Sequence, residues 1–418
     1  MTSTDDYESG VLSLKTKGQS EVPAKTVASP TADRHTDPAP ELSKKKKPVP
    51  EEIRAALAAL PVKPRDRYKF LRTIGFGGMK SVLLVYDIDT QREVALAIMP
   101  DFRERKVEEV IRFVQEAQLT AQLEHPNIVP VHDLGIDRAG APYFTMKYLQ
   151  GRTLSNILHR LREGDPDTLE WYDLPRLLRI YLRICNAVSF AHSQNIIHLD
   201  LKPENVNIGE FGEVQILDWG LAKVIGDPEP ETGSQDLSPE AARDYSRKSL
   251  TLNGVAKGTP GYMAPEQAAG KNNARDQRTD VYALGAILYA ILTFSSPLAG
   301  KQLAEMLRET IKGNIKKPRE MRNPYRPVPA ALDAICRKAM ALNADARYQS
   351  VADLKADISA YLAGYSPKAE NASLSRKVAL FIGRNGLWLA LITTLLVLLS
   401  ALILFFYAYM NNVVVINE

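Results

Sequence analysis

The chemistry-bearing residues of this chain concentrate in one segment. It reads His198-Leu199-Asp200-Leu201-Lys202-Pro203-Glu204-Asn205 and is followed by Asp218-Trp219-Gly220. Two carboxylates, a cation and a side-chain amide at close spacing are what phosphoryl transfer requires. A carboxylate must stand near the attacking hydroxyl, a cation near the moving phosphate, and oxygen ligands near magnesium. Well upstream lies a glycine-rich segment, Gly75-Phe76-Gly77-Gly78-Met79-Lys80-Ser81-Val82, between two strand-like runs. Alone, such a turn is more often a plain hairpin than a phosphate cradle. Its position ahead of the acidic segment gives it weight.

Taken in order, these segments resemble the eukaryotic-like serine/threonine protein kinases of the Hanks type, over roughly residues 68–365. There the catalytic loop reads H-R-D-x-K-x-x-N and the metal-binding triplet D-F-G. The resemblance implies Asp200 as base or orienter, Lys202 as the neutraliser of the γ-phosphate, and Asn205 and Asp218 as metal ligands, with ATP and Mg2+ bound. It implies a phosphate loop at Gly75, Gly77 and Gly78, and Glu116 as the glutamate of the regulatory helix. Met146 would be the gatekeeper. The backbone of Lys147 and Leu149 would meet the adenine edge, and Val82 and Ala95 its face. Downstream, Gly258-Thr259-Pro260-Gly261-Tyr262-Met263-Ala264-Pro265-Glu266 resembles the end of an activation segment. Asp280 matches the aspartate that anchors the catalytic loop, and Arg347 the arginine that pairs with Glu266. Lys202 and Thr259-Pro260-Gly261-Tyr262 follow the serine/threonine form, so the resemblance implies protein substrates modified on Ser or Thr.

Three positions depart from the family pattern. The catalytic-loop arginine, which normally pairs with a phosphate in the activation segment, is Leu199. The triplet phenylalanine is Trp219. The strand-three lysine, which normally holds the α- and β-phosphates, is Ala97 in Val94-Ala95-Leu96-Ala97. Ala97 alone points to a pseudokinase, a binding or scaffold module. Lys80, at the last position of the glycine-rich loop, points the other way. It resembles the with-no-lysine kinases, whose phosphate-binding lysine comes from the glycine-rich strand. Neighbouring strands lie about 4.8 Å apart, so a lysine from strand two can reach the site vacated by Ala97. An active kinase, a pseudokinase scaffold and, less well supported, a small-molecule phosphotransferase all remain open.

The elements that position these residues follow from the pattern. Strand-like runs at 68–74, 81–87, 93–99, 128–135 and 143–148 surround one amphipathic helix at about 105–123. After Thr153 the pattern turns helical. This predicts an α+β bilobal kinase fold, with a small β-rich lobe and a larger α-helical one. Residues 1–50 are rich in Ser, Thr, Pro and charge and read as a disordered tail. The run Lys44–Lys47 is a solvated charge cluster or a contact for an anionic membrane. A short helix is expected over 50–60, with a linker to 67. The activation segment is long. Its middle, 227–249, is Pro-, Ser- and acid-rich, with Ser246, Ser249 and Thr251 as autophosphorylation candidates. Because Leu199 replaces the arginine, their phosphates should change activity only modestly.

Composition excludes little else. A net charge of +4 without a basic stripe argues against nucleic-acid binding. The 2 cysteines, Cys185 and Cys336, lack metal-type spacing and read as reduced, buried thiols. A basic juxtamembrane linker is expected at 366–385, then a charge-free apolar run at 386–410. That run is about 36 Å long as a helix, enough to cross a hydrocarbon core of about 30 Å. Trp388, Tyr407 and Tyr409 stand near its ends. Arg376, Lys377 and Arg384 precede it, and the positive-inside rule then places the kinase-like region in the cytoplasm. No apolar stretch near the start resembles a secretory signal. The expected arrangement is a single-pass anchor in a lipid bilayer, with residues 411–418 too short for an outside sensor domain. Oligomeric state is not legible.

Overall fold

The computed structural model of the chain describes residues 48–63, 65–77, 80–225, 259–321 and 323–416. Residues 1–47 of the expected tail, with its lysine run, Gly78, and the candidates Ser246, Ser249 and Thr251 lie outside the described residues.

The chain enters on a short helix, α1 (Glu51–Leu57). Strands β1 (Tyr68–Phe76), β2 (Ser81–Asp87) and β3 (Arg92–Ile98) follow, then helix α2 (Val107–Gln122), β4 (Val131–Ile136) and β5 (Pro142–Lys147). These strands form one antiparallel sheet in the order β1-β2-β3-β5-β4. Each lies within a few residues of its sequence-expected run. The largest difference is β4, which starts at Val131 rather than 128. Pro130 has no N–H to give the ladder, and its carbonyl instead accepts from Lys147 N at 3.1 Å.

Helix α2 packs on this sheet through Val110, Phe113, Val114 and Ala117, spaced to share one face of a helix. Ile53 and Leu57 of α1 are buried in the same apolar layer as Phe113 and Phe144. The short helix is therefore part of the small lobe, not a free linker element ahead of it. Residues after α1 continue the sheet. Val62 bridges Ile136 in parallel, Lys63 N donates to the Ile136 carbonyl at 2.8 Å, and Ile136 N donates to Pro61 O at 3.0 Å. Gly135 permits this approach, because a Cβ there would stand 3.0 Å from Pro61 O.

The larger lobe is helical: α3 (Leu154–Glu163), α4 (Pro166–Trp171), α5 (Leu174–Ser193), α6 (Pro265–Ala268), α7 (Gln277–Thr293), α8 (Leu303–Lys312), α9 (Ala330–Ala339) and α10 (Val351–Leu362). Short strand β6 (Arg152–Thr153) leads into α3, and β7 (Ile196–Ile197), β8 (Val206–Ile208), β9 (Val214–Ile216) and β10 (Lys223–Val224) lie between α5 and α6. Helix α5 starts on Asp173, whose carboxylate accepts from Arg176 N at 2.7 Å, with a proline in the first turn. It presents Leu177, Tyr181, Ile184 and Val188 to the core. Helix α7 is buried from Thr279 to Thr293, which accounts for its lack of a polar face. At Gly285 a side chain would meet Ala339 and Met340 of the α9 turn at 2.7–2.8 Å, so glycine lets the two helices touch. Cys185 and Cys336 are free and buried; burial pushes the Cys185 thiol up to about 12.

The last element, α11 (Leu374–Ile416), breaks helical geometry at Asn385 (φ −107°, ψ 16°). It begins inside the stretch expected as a linker. Leu374–Tyr409, 36 residues, is long and apolar enough to cross a membrane, and its most apolar stretch is not buried against protein.

Candidate active site

The β1–β2 hairpin sets the first part of the site. Gly75 pairs with Val82, Phe76 with Ser81, and Gly77 N donates to Lys80 O at 2.9 Å. Val82 in turn pairs with Ala97 on β3. Lys80 stands two residues before Val82, so its side chain leaves the same face of the sheet. Its ammonium donates to Glu116 Oε1 of α2 and to Asp218 Oδ1 at 2.9 Å. Ala97 is fully buried in the apolar layer under α2. The structure thus brings the expected Lys80, Glu116 and Asp218 together, with the strand-three position closed by a methyl group.

Electrostatics hold this triad in its charged form at Lys80 and Asp218. Burial opposes charge on Lys80, but the Glu116 and Asp218 carboxylates outweigh it and raise its pKa above the ordinary lysine value. Burial also opposes charge on Asp218, and the Lys80 ammonium outweighs it, leaving that carboxyl below the usual range. Glu116 is raised, chiefly by burial and further by Asp218, against the pull of Lys80. Gly220 makes room for the two acids, since a Cβ there would lie 3.0 Å from Glu116 and 3.2 Å from Asp218.

The catalytic-type loop is fixed from beneath. Asp280, wholly buried in the first turn of α7, accepts from His198 N at 2.8 Å and Leu199 N at 2.9 Å. Its Oδ2 also pairs with His192 Nε2 at 2.8 Å. These bonds hold Leu199 at φ +64°, a left-handed conformation that an unsupported leucine avoids. Gln267 Nε2 donates to the Leu199 carbonyl at 2.8 Å, and the leucine side chain is buried. Trp219 is buried against His198, their rings 4.5 Å apart, and fills the core beneath the triplet.

Asp200 then faces a small cluster. Lys202 Nζ donates to Asp200 Oδ2 at 2.7 Å and to Thr259 Oγ1 at 2.6 Å, while Thr259 Oγ1 donates to Asp200 Oδ1 at 2.9 Å. Asn205 Nδ2 donates to the Asp200 carbonyl at 3.0 Å, and Leu217 N donates to the Asn205 carbonyl at 2.8 Å. That last bond ties the Asp200 loop to the residue before Asp218. The amide oxygen of Asn205 and the second carboxylate oxygen of Asp218 accept nothing from the described residues. Asp218 keeps 42% of its side chain accessible. Two hard oxygen donors suit a divalent cation that takes few protein ligands and fills its shell with phosphate oxygens and water. Among the described residues no group of three or more His, Cys, Asp or Glu forms a metal cage.

Between β3 and β5, Ala95 pairs with Met146 and Val94 with Lys147. Lys147 N–H already donates to Pro130 O, so it is not free for a ligand. Farther down, Arg347 forms a two-pronged pair with Glu266, both contacts 2.8 Å, with Thr279 Oγ1 donating to Glu266 at 2.9 Å. Sequence reasoning placed Thr259 at the end of the activation segment and in the serine/threonine pattern, but did not see it bridging Asp200 and Lys202. Its neighbours Gly258 and Pro260 were the available signal. The His192–Asp280 contact was missed because nothing in the spacing joins two residues so far apart.

Residues 68–356 match the model of the protein kinase domain. The chain is 39% identical over 323 residues to the serine/threonine-protein kinase PknD of Protochlamydia amoebophila (strain UWE25), covering 76% of this chain and 32% of that protein. It is 37% identical over 307 residues to PknD of Chlamydia pneumoniae, covering 72% and 32%. With PknD of Chlamydia trachomatis serovar D the figures are 35% over 320 residues, 75% and 33%. The matched part thus spans about a third of the length of these curated relatives.

Proposed function

Since this chain belongs to the protein kinase family, we propose that it is a membrane-anchored serine/threonine kinase that moves the γ-phosphate of ATP to protein hydroxyls. The observation that carries this reading is the joint presence of two charge clusters. Lys80 sits with Glu116 and Asp218, and Lys202 sits with Asp200 and Thr259. A scaffold has no chemical need for either.

The family uses ATP with a divalent metal, here taken as Mg2+. Gly75, Gly77 and Gly78 cover the phosphates, with Val82 and Ala95 on the adenine face and Met146, Lys147 and Leu149 along its edge. Lys80 holds the α- and β-phosphates from the glycine-rich hairpin, and Glu116 holds Lys80. Mg2+ on Asn205 and Asp218 would draw charge from the phosphate oxygens. Asp200 orients the substrate hydroxyl and takes its proton as the new O–P bond forms and the bond to the β-phosphate oxygen breaks, releasing ADP. Lys202 neutralises the transferring group, and Thr259 keeps Asp200 and Lys202 in register. The relatives named serine/threonine kinases support the substrate class. The apolar helix supports the anchor, and Arg376, Lys377 and Arg384 before it support a cytoplasmic kinase domain.

Ala97 favours the competing reading, a tethered pseudokinase. The full chain in lipid nanodiscs, given Mg2+, γ-labelled ATP and a generic Ser/Thr protein substrate, separates the two. Wild type should place label on Ser or Thr well above Asp200→Asn. Equal, background incorporation in both would support the pseudokinase.

A further inference from the structure

We propose that residues 374–384 form an interfacial helix. One face grips the helical lobe, and the opposite, apolar face lies in the headgroup region of the bilayer. The inference rests on the anchor reading above and adds to it a second membrane contact with a defined orientation.

The two faces are distinct. On one, Arg376 Nε lies 3.3 Å from Glu370 Oε1, Leu380 is half-buried, and the Arg384 guanidinium stacks 3.8 Å over the Tyr365 ring while donating to the Gly364 carbonyl at 3.3 Å. These three positions are spaced by four, as one helix face requires. The other face carries Leu374, Val378, Phe381 and Ile382, exposed by 78, 48, 50 and 52%. They fall at i, i+4, i+7 and i+8 and make one exposed apolar stripe along the helix.

What covers that stripe follows from its place in the chain. The uncharged residues 386–409 alone make a helix of about 36 Å, already longer than a hydrocarbon core of about 30 Å. Residues 374–384 therefore stand outside the core, at headgroup level. Asn385 separates the two pieces. Its backbone leaves helical geometry, and its side-chain amide donates to the Phe381 carbonyl at 2.9 Å, closing the first piece. Lys377 flanks the stripe, and no acidic residue occurs between Glu370 and Glu418. An apolar face edged by basic residues is what the boundary between headgroups and acyl chains accepts. Because Arg376 and Arg384 hold the far side of the same helix against Glu370, Gly364 and Tyr365, the helical lobe is fixed in one attitude to the membrane.

The test uses the full chain reconstituted in vesicles of phosphatidylcholine and phosphatidylglycerol. An environment-sensitive dye is placed on Phe381→Cys, on Val378→Cys or, as an aqueous reference, on Phe211→Cys, which replaces a side chain 95% exposed on the helical lobe. Sedimentation after a high-salt wash is measured in parallel. Expected is several-fold stronger quenching by headgroup-level nitroxide lipids at 378 and 381 than at 211, with aqueous iodide showing the reverse order. Iodide access at 381 equal to that at 211, in chain that still sediments, overturns this proposal and leaves the anchor standing. Failure to sediment overturns both. Concentration-dependent self-quenching at 381 without lipid quenching would assign the stripe to a second copy of the chain and overturn the proposal too.

Discussion

The Lys80 ammonium lies 2.9 Å from Asp218 Oδ1, joining the glycine-rich hairpin of one lobe to the Asp218-Trp219-Gly220 triplet of the other. The same ammonium meets Glu116, so three elements distant in sequence converge on one cation. Lys80→Met should lower phosphoryl transfer about 100-fold or more, the scale seen when one preorganised charge-stabilising donor is removed. Circular dichroism and nucleotide-free melting should change little. Adding Ala97→Lys to that variant should recover part of the rate, because the position opposite Val82 then supplies the cation. Full activity in Lys80→Met would rule out its role.

Loop phosphorylation should have a weak effect. Leu199 occupies the position of the phosphate-pairing arginine, is buried, and offers no charge. The variant Ser246→Ala/Ser249→Ala/Thr251→Ala should keep its turnover within a few-fold of wild type. Abolished activity in a folded triple variant would show that another cation reads those phosphates.

Helix α1 should support the position of Glu116. Leu57 is 3% exposed and packs in the layer that carries Phe113 of α2. Leu57→Ala should weaken that contact by about 2–5 kcal/mol. The expected readout is faster hydrogen exchange across 107–122 with unchanged exchange in α5 and α7, together with a several-fold loss of activity. Uniform exchange changes in both lobes would mean global destabilisation instead.

Acid should destabilise the fold in two windows. Burial lowers the pKa of His198, and also those of His125 and His132, below the free value of 6.5. The unfolded chain therefore binds protons that the folded chain refuses, and stability falls as pH drops below about 6.5. Asp218 and Asp280 are lowered and contribute stability that is lost only as pH falls through the range below about 3.8. Glu116, raised by burial, acts with the opposite sign and softens the first window. Melting temperature in detergent should drop by a few degrees from pH 7.5 to 5.5, with proton uptake on unfolding. Proton release in that window would contradict the assignment.

Much of this was legible in the sequence because it is local. The strand runs and the α2 stripe need only short-range periodicity. The order of glycine loop, helix glutamate and acidic loop needs only linear position. Even the approach of Lys80 to Glu116 and Asp218 was expected, since strands two and three must be neighbours. What could not be read depended on contacts between distant segments. Thr259 meets Lys202 across 57 residues of sequence, and His192 meets Asp280 only once α5 and α7 pack. The early start of α11 was masked by its charges. Arg376 and Arg384 look like linker residues until Glu370 and Tyr365 are seen to receive them.

The pairing of residues 61–63 with Ile136 also bears on handling the protein. β4 is the outer strand of its sheet, and Pro61–Lys63 satisfy part of its exposed backbone. A fragment cut at Tyr68, where the family match begins, would bare that edge and strip the apolar layer of Ile53 and Leu57. Unsatisfied edges template intermolecular strand addition. With both fragments ended ahead of the apolar helix, the one cut at Tyr68 should aggregate where one starting at about residue 48 stays monodisperse, which would set the start of the smallest well-behaved soluble unit upstream of the family match.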